Sequence, residues 1–235
     1  MRHTAFLTGL IVVSVLGAGT VVHAGDRERG LQFAVTVTNL TRGQTFTPVL
    51  VASHREGVTL FTPGQAPSPE LAVLAEEGDV TPLTALLLSS PLVRAVANSG
   101  NPPGGFVGPG QSKTVVVDAG RGADHISVAA MLIPTNDGFF ALNGVRAPRG
   151  SEVLSHLSPA YDAGSERNDE LCASIPGPFF TECGGPGGGA KPAGGEEGHV
   201  HIHAGIHGVG DLEASARDWR RGPGGGGPVD LNAWH

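Results

Sequence analysis

Met131-Leu132-Ile133-Pro134-Thr135-Asn136-Asp137-Gly138-Phe139-Phe140 is the stretch that decides how the chain is read. An apolar run reaches Pro134, four turn-forming residues interrupt it, and two phenylalanines begin a second apolar run. Asn, Asp and Gly favour tight turns because they tolerate backbone angles that other residues avoid. The pattern predicts a strand, a tight turn and a return strand, with one carboxylate, Asp137, at the tip. Asp137 is accordingly a candidate first ligand of a calcium site, with the rest of the chain a sandwich that holds the turn.

Working outward, residues 125–133 are apolar on both faces, which predicts a central strand. Residues 111–118 form a strand through Val115-Val116-Val117. Residues 31–40 alternate: Phe33, Val35 and Val37 face one way, Ala34, Thr36 and Thr38 the other, as in a strand with one buried face. Residues 45–54 read as its hairpin partner across Thr41-Arg42-Gly43-Gln44, with Pro48 marking an edge or a bulge. Beyond the central turn, residues 138–142 return, 143–157 read as mixed loop, 158–168 as a polar turn segment and 199–206 as a strand. Between 68 and 98, Ser68-Pro69-Glu70, Thr81-Pro82 and Ser90-Pro91 repeat a helix-start signal, predicting two or three short helices inserted on the sandwich. With 37 glycines and 18 prolines scattered among Val/Thr/Ile runs, the class is all-β, with Gly-rich loops.

The chain opens Met1-Arg2-His3, runs apolar from Ala5 to Val22 and reaches Val22-His23-Ala24. A positive start, an apolar stretch and a small-residue end predict a signal peptide over residues 1–24, cleaved near Ala24, and a secreted or periplasmic protein. Glycines, threonines and a serine within the run weaken the competing reading as a membrane anchor. Residues 25–221 then form the folded domain, and 222–235 a Gly-rich tail. A formal net charge of −7 without a Lys/Arg cluster argues against nucleic acid and anionic membranes and is compatible with a divalent cation. The two cysteines, Cys172 and Cys183, read as a disulfide in an oxidising compartment.

Asp162 and Glu166 stand four apart across Ala163-Gly164, where a bend can bring both carboxylates to one side. Calcium takes six to eight oxygens, so acids from two loops would supply its charged ligands. By spacing alone, a solvated surface turn explains the pair more readily. Taken together and in order, the opening stretch and Tyr161-Asp162-Ala163-Gly164-Ser165-Glu166 resemble the spondin N-terminal domain. In that family a strand ends in Pro-x-x-Asp before aromatic and apolar residues, and a later Tyr-Asp-Ala-Gly-Thr-Asp/Glu segment completes the signature. The strand at residues 33–40 looks like the family's opening strand, and the resemblance covers roughly residues 31–220. It implies a C2-like antiparallel β-sandwich that binds Ca2+ through Asp137, Asp162 and Glu166 at one end. Gly138 stands where animal members often carry tryptophan, Ser165 replaces threonine and Glu166 replaces aspartate. Animal members are extracellular matrix proteins, which implies adhesion or contact with an extracellular or surface ligand.

A second constellation is Glu196-Glu197-Gly198-His199-Val200-His201-Ile202-His203-Ala204-Gly205-Ile206-His207. On a strand, alternate residues share a face about 7 Å apart. His199, His201 and His203 would form one row able to chelate Zn2+ or Cu2+, with Val200 and Ile202 turned to the core and His207 joining across a turn. Hydrogen bonds to loop carbonyls would explain the same histidines. There is no nucleophile elbow and no phosphate-binding glycine motif, so an enzyme is disfavoured, with a metal-dependent hydrolase using the histidines as the alternative. A metal-free structural envelope protein is the third reading.

Overall fold

The computed structural model describes residues 11–17, by their backbone alone, and residues 31–120, 122–168 and 196–205. The elements run β1 (Ile11–Gly17), β2 (Gln32–Asn39), β3 (Thr45–Phe46), β4 (Leu50–His54), α1 (Pro69–Glu77), α2 (Thr81–Leu88), β5 (Val93–Asn98), β6 (Ser112–Asp118), β7 (His125–Ile133), β8 (Gly138–Arg146), β9 (Val153–Ser158), β10 (Ala160–Asp162) and β11 (His201–Ile202). The strands make two antiparallel sheets, one ordered β6-β2-β1-β9, the other β11-β10-β8-β7-β4-β5 with β3 beside β7. The all-β sandwich read from the sequence is what the chain forms. No helix among the described residues is long and apolar enough to cross a membrane.

Alternation in β2 has the expected result: Phe33, Val35 and Val37 are buried while Ala34, Thr36 and Thr38 are half-exposed. The buried side meets Val115 and Val117 of β6, and Val51, Ile126, Val128, Ala130 and Phe140 of the facing sheet, forming the sandwich core. The other face of β7 is equally apolar because helices cover it. Leu71, Leu74, Leu83 and Leu87 of α1 and α2 pack on Leu50, Ala129, Phe139 and Ala141. This double burial accounts for the near-continuous apolar run of β7.

Four local expectations are corrected. β2 and β4 are not a hairpin; they lie in different sheets. Asn39 turns the chain between them, its Nδ2 donating to the Gln44 and Val107 carbonyls (2.7 and 2.9 Å) and its Oδ1 accepting from Thr41 N–H (2.9 Å). The chain then breaks at Thr47, Pro48 and Val49, between β3 and β4. The third expected helix is the strand β5: Val93-Arg94-Ala95-Val96-Ala97 supplies β-branched residues to an edge beside β4. The supposed loop at 143–157 contains the end of β8 and most of β9.

Residues 11–17, inside the run read as a leader, form a strand between β2 and β9. Ile11 stands opposite Asn39 on one side and Ser158 on the other.

Helix α1 follows its sequence signals. Ser68 Oγ accepts from Leu71 N–H (3.2 Å), proline occupies the first turn, and Gly78 closes the helix at φ +70°. A Cβ on Gly78 would stand 2.5 Å from Thr47 Cγ2. Gly78→Ala should therefore cost about 1–3 kcal/mol, read as a lowered midpoint in urea, from backbone strain and overpacking together.

Candidate metal centre

The turn after β7 folds inward. Thr135 Oγ1 donates to the Leu132 carbonyl (2.6 Å) and accepts from Gly138 N–H (2.9 Å), which curls the turn over the sheet end. Asp137 is therefore no exposed tip; it is 0 % exposed. Its backbone carbonyl accepts from Ala163 N–H (3.1 Å), and its Oδ2 accepts from Ser165 N–H (2.8 Å) and Glu166 N–H (3.0 Å). The segment after β10 is thus pinned on the turn after β7.

Strand register supplies the next acid. Asp162 lies opposite Gly138 across β10 and β8, one residue from Asp137. It is buried; its Oδ1 accepts from Gly164 N–H (2.8 Å) and its Oδ2 from Asn168 Nδ2 (2.8 Å). Gly164, at φ +66°, makes the expected bend, and Glu166 is buried beyond it. Asp137, Asp162 and Glu166 are thus gathered at one end of the larger sheet. Phe61, Phe139 and Tyr161 pack against one another close by, with ring centroids 4.9–5.6 Å apart.

Buried acids at close quarters raise one another's proton affinity. Burial first, then the charge of Asp162, pushes the Asp137 carboxyl up to about 7, against the downward pull of the Glu166 and Ser165 N–H donors. Asp137 Oδ1 has no hydrogen-bond partner among the described residues.

Among the described residues, the donor atoms that come close enough together to hold a metal ion belong to a different trio, which shares Asp162 but includes neither Asp137 nor Glu166. Asp162, Glu197 and His201 each present a ligand atom within 4.8 Å of the others, and together they can hold a metal ion. β11 delivers His201 opposite Asp162, with His201 Nε2 3.7 Å from Asp162 Oδ1. Asn168 Nδ2 bridges Asp162 and Glu197 Oε1 (2.8 and 2.9 Å). His201 Nδ1 donates to the Ile202 carbonyl (2.9 Å), so the proton sits there and Nε2 carries a lone pair in the neutral ring. That lone pair is buried, has no hydrogen-bond partner among the described residues, and faces a carboxylate. A metal ion placed between them would draw on both.

The histidine row is corrected in part. The strand comprises only His201 and Ile202; Val200 is buried as expected, but Ile202 is half-exposed and not in the core. The rings of His199 and His201 are neighbours, with centroids 5.3 Å apart. His199 Nδ1 donates to the Glu197 carbonyl, and His203 Nδ1 accepts from Gly205 N–H, which leaves the His203 proton on Nε2. Only His201 enters the compact group. His207, Cys172 and Cys183 lie outside the described residues. Glu197 was missed as a ligand although it stands beside the histidines in the sequence, because the row was read through its imidazoles alone. Comparison with models of known protein families and with curated proteins finds no match for this chain, so the site rests on its own geometry.

Proposed function

We propose that the chain is a calcium-binding module of spondin type, acting outside the cytoplasm, in which the ion fixes the loops at one end of the sandwich for contact with an extracellular or surface ligand. The observation that supports this most is Asp137 Oδ1, a buried carboxylate oxygen with no hydrogen-bond partner among the described residues, next to a second buried acid. A hard divalent cation satisfies such a group with oxygen donors, and Asp162 and Glu166 supply further carboxylates. The ion would offset the repulsion between acids delivered by two separate segments, residues 135–138 and 162–166. Its role is structural: it joins those segments without a reaction step.

A second reading has its own support. The His201 Nε2 lone pair, set against Asp162 and Glu197, is a mixed nitrogen and oxygen set that suits Zn2+ or Cu2+ better than Ca2+. One experiment separates the readings: metal analysis of protein purified without a polyhistidine tag, with thermal melts in calcium and in chelator. Calcium at about 100 times its dissociation constant should raise the melting temperature by about 5–10 °C, and Asp162→Ala should abolish the rise. A retained transition metal that disappears in His201→Ala moves the assignment to the second reading. No metal and no shift at millimolar calcium leaves a metal-free structural protein.

A further inference from the structure

The opposite edge of the larger sheet carries a second arrangement that the metal reading does not use. β4 and β5 pair antiparallel, but their register slips: Ser53 faces Ala95 while His54 faces Val93. Arg94 is the extra residue, and a bulge of this kind re-aims a side chain out of the ladder. The Arg94 side chain runs over Gly120, where a Cβ would collide with its Nε and stand 2.6 Å from its Cδ. Two residues on, Gly122 makes the same room for Arg55, whose Nε would lie 3.3 Å from a Cβ there. Both glycines have positive φ, +55° and +88°, a conformation that favours glycine at each.

Arg55 follows β4, and its N–H donates to the Leu92 carbonyl (2.9 Å), which ties it to the segment entering β5. Arg55 and Arg94 line one cleft of about 450 Å³ with Pro91, Leu92, Val93 and Ala123. Among the described residues neither guanidinium has an ion-pair partner. Of the nearby acids, Asp124 is engaged by His125 Nδ1 (2.9 Å), and Glu56, exposed like the two arginines, makes no ion pair with either among the described residues. Arg55 and Arg94 are both exposed, so an anion entering the cleft of this acidic chain meets two guanidinium groups that no carboxylate among the described residues neutralises. Their planar forks match the paired oxygens of a carboxylate or sulfate.

We propose that this cleft is an oxyanion site, in which Arg55 and Arg94 take the carboxylate or sulfate group of a sugar-sized ligand and Pro91, Leu92 and Val93 supply its apolar wall. The arginines are far apart in sequence and make no basic cluster there; the bulge and the two glycines bring them together.

The test is a titration of the full chain with sodium sulfate and, separately, sodium glucuronate, against sodium chloride at equal ionic strength. Arginine Nε–Hε signals are followed by NMR. Saturable shifts of two arginine signals at millimolar anion are expected, with affinity falling about tenfold in Arg55→Ala and in Arg94→Ala. A response to sulfate alone identifies a sulfated ligand, and one to glucuronate alone a carboxylated ligand. Arg94→Lys keeps the charge and loses the fork, so it should bind several-fold more weakly than the parent chain. Shifts that match those in chloride, or that persist in the double alanine variant with an unchanged melting temperature, overturn the site. So does an Arg94→Lys chain that binds as tightly as the parent.

Discussion

Asp137→Asn should make the metal-free protein more stable above pH 7 and remove its response to calcium. Asparagine keeps an oxygen to accept from Ser165 and Glu166 N–H, and it carries no charge into the buried site. In the parent chain the Asp137 carboxyl sits at about 7, raised by burial and by Asp162. Between its ordinary value near 4 and 7, the folded chain holds a proton that the unfolded chain has released. Stability contributed by that proton is present at low pH and is lost as pH rises through this window. Three pH units correspond to roughly 4 kcal/mol, an upper figure for the cost that asparagine removes. Urea titrations in chelator at pH 5 and pH 8 should show the stability of the parent, relative to that of the variant, falling as the pH rises. Calcium should then restore the parent at pH 8 and leave the variant unchanged. A variant less stable than the parent in chelator at pH 8 would mean that Asp137 is not a strained, unneutralised acid.

A chain beginning at Gly25 should lose on the order of 5 kcal/mol, a large share of a domain's stability. β1 is the middle link of the smaller sheet: β2 has β6 on its other side, but β9 has only β1 in that sheet. Without residues 11–17, two strands keep unpaired backbone groups along facing edges, and those edges invite pairing with other chains. Lower urea midpoints and concentration-dependent association are the expected readouts. Val13→Pro in the full chain, which removes a backbone donor, should act in the same direction. Equal stability of the shortened and full chains would show that the sandwich closes without this strand, as cleavage of a leader near Ala24 requires.

The legible parts of the fold are those with one dominant local signal. β7 keeps the bounds read from its apolar run, and α1 keeps both its serine cap and its glycine stop. β5 was obscured because Ser90-Pro91 imitates a helix start, whereas pairing with β4 outweighs that local preference. β9 reads Val-Leu-Ser-His-Leu-Ser, without strict alternation, and its identity comes from its neighbours in the sheet. At the site, Asp137 and Asp162 were legible as a pair only through the order of the Pro-x-x-Asp and Tyr-Asp-Ala-Gly segments; that register sets Asp162 opposite the glycine after Asp137 could not be read locally. Glu197 was not legible, because its position depends on Asn168, 29 residues earlier, which no periodicity could reveal.

Gly164 donates no side chain to the centre, yet a Cβ there would strike the backbone of His199, standing 2.8 Å from its nitrogen and closer to its carbonyl oxygen. Any larger residue would push away the segment that carries Val200 and His201. In a survey of single substitutions scored by metal retention, position 164 should therefore score as severely as the acids. A residue can be indispensable to an ion by leaving a space rather than by touching it. A search for the centre by donor atoms alone would pass over the position that holds its two halves together.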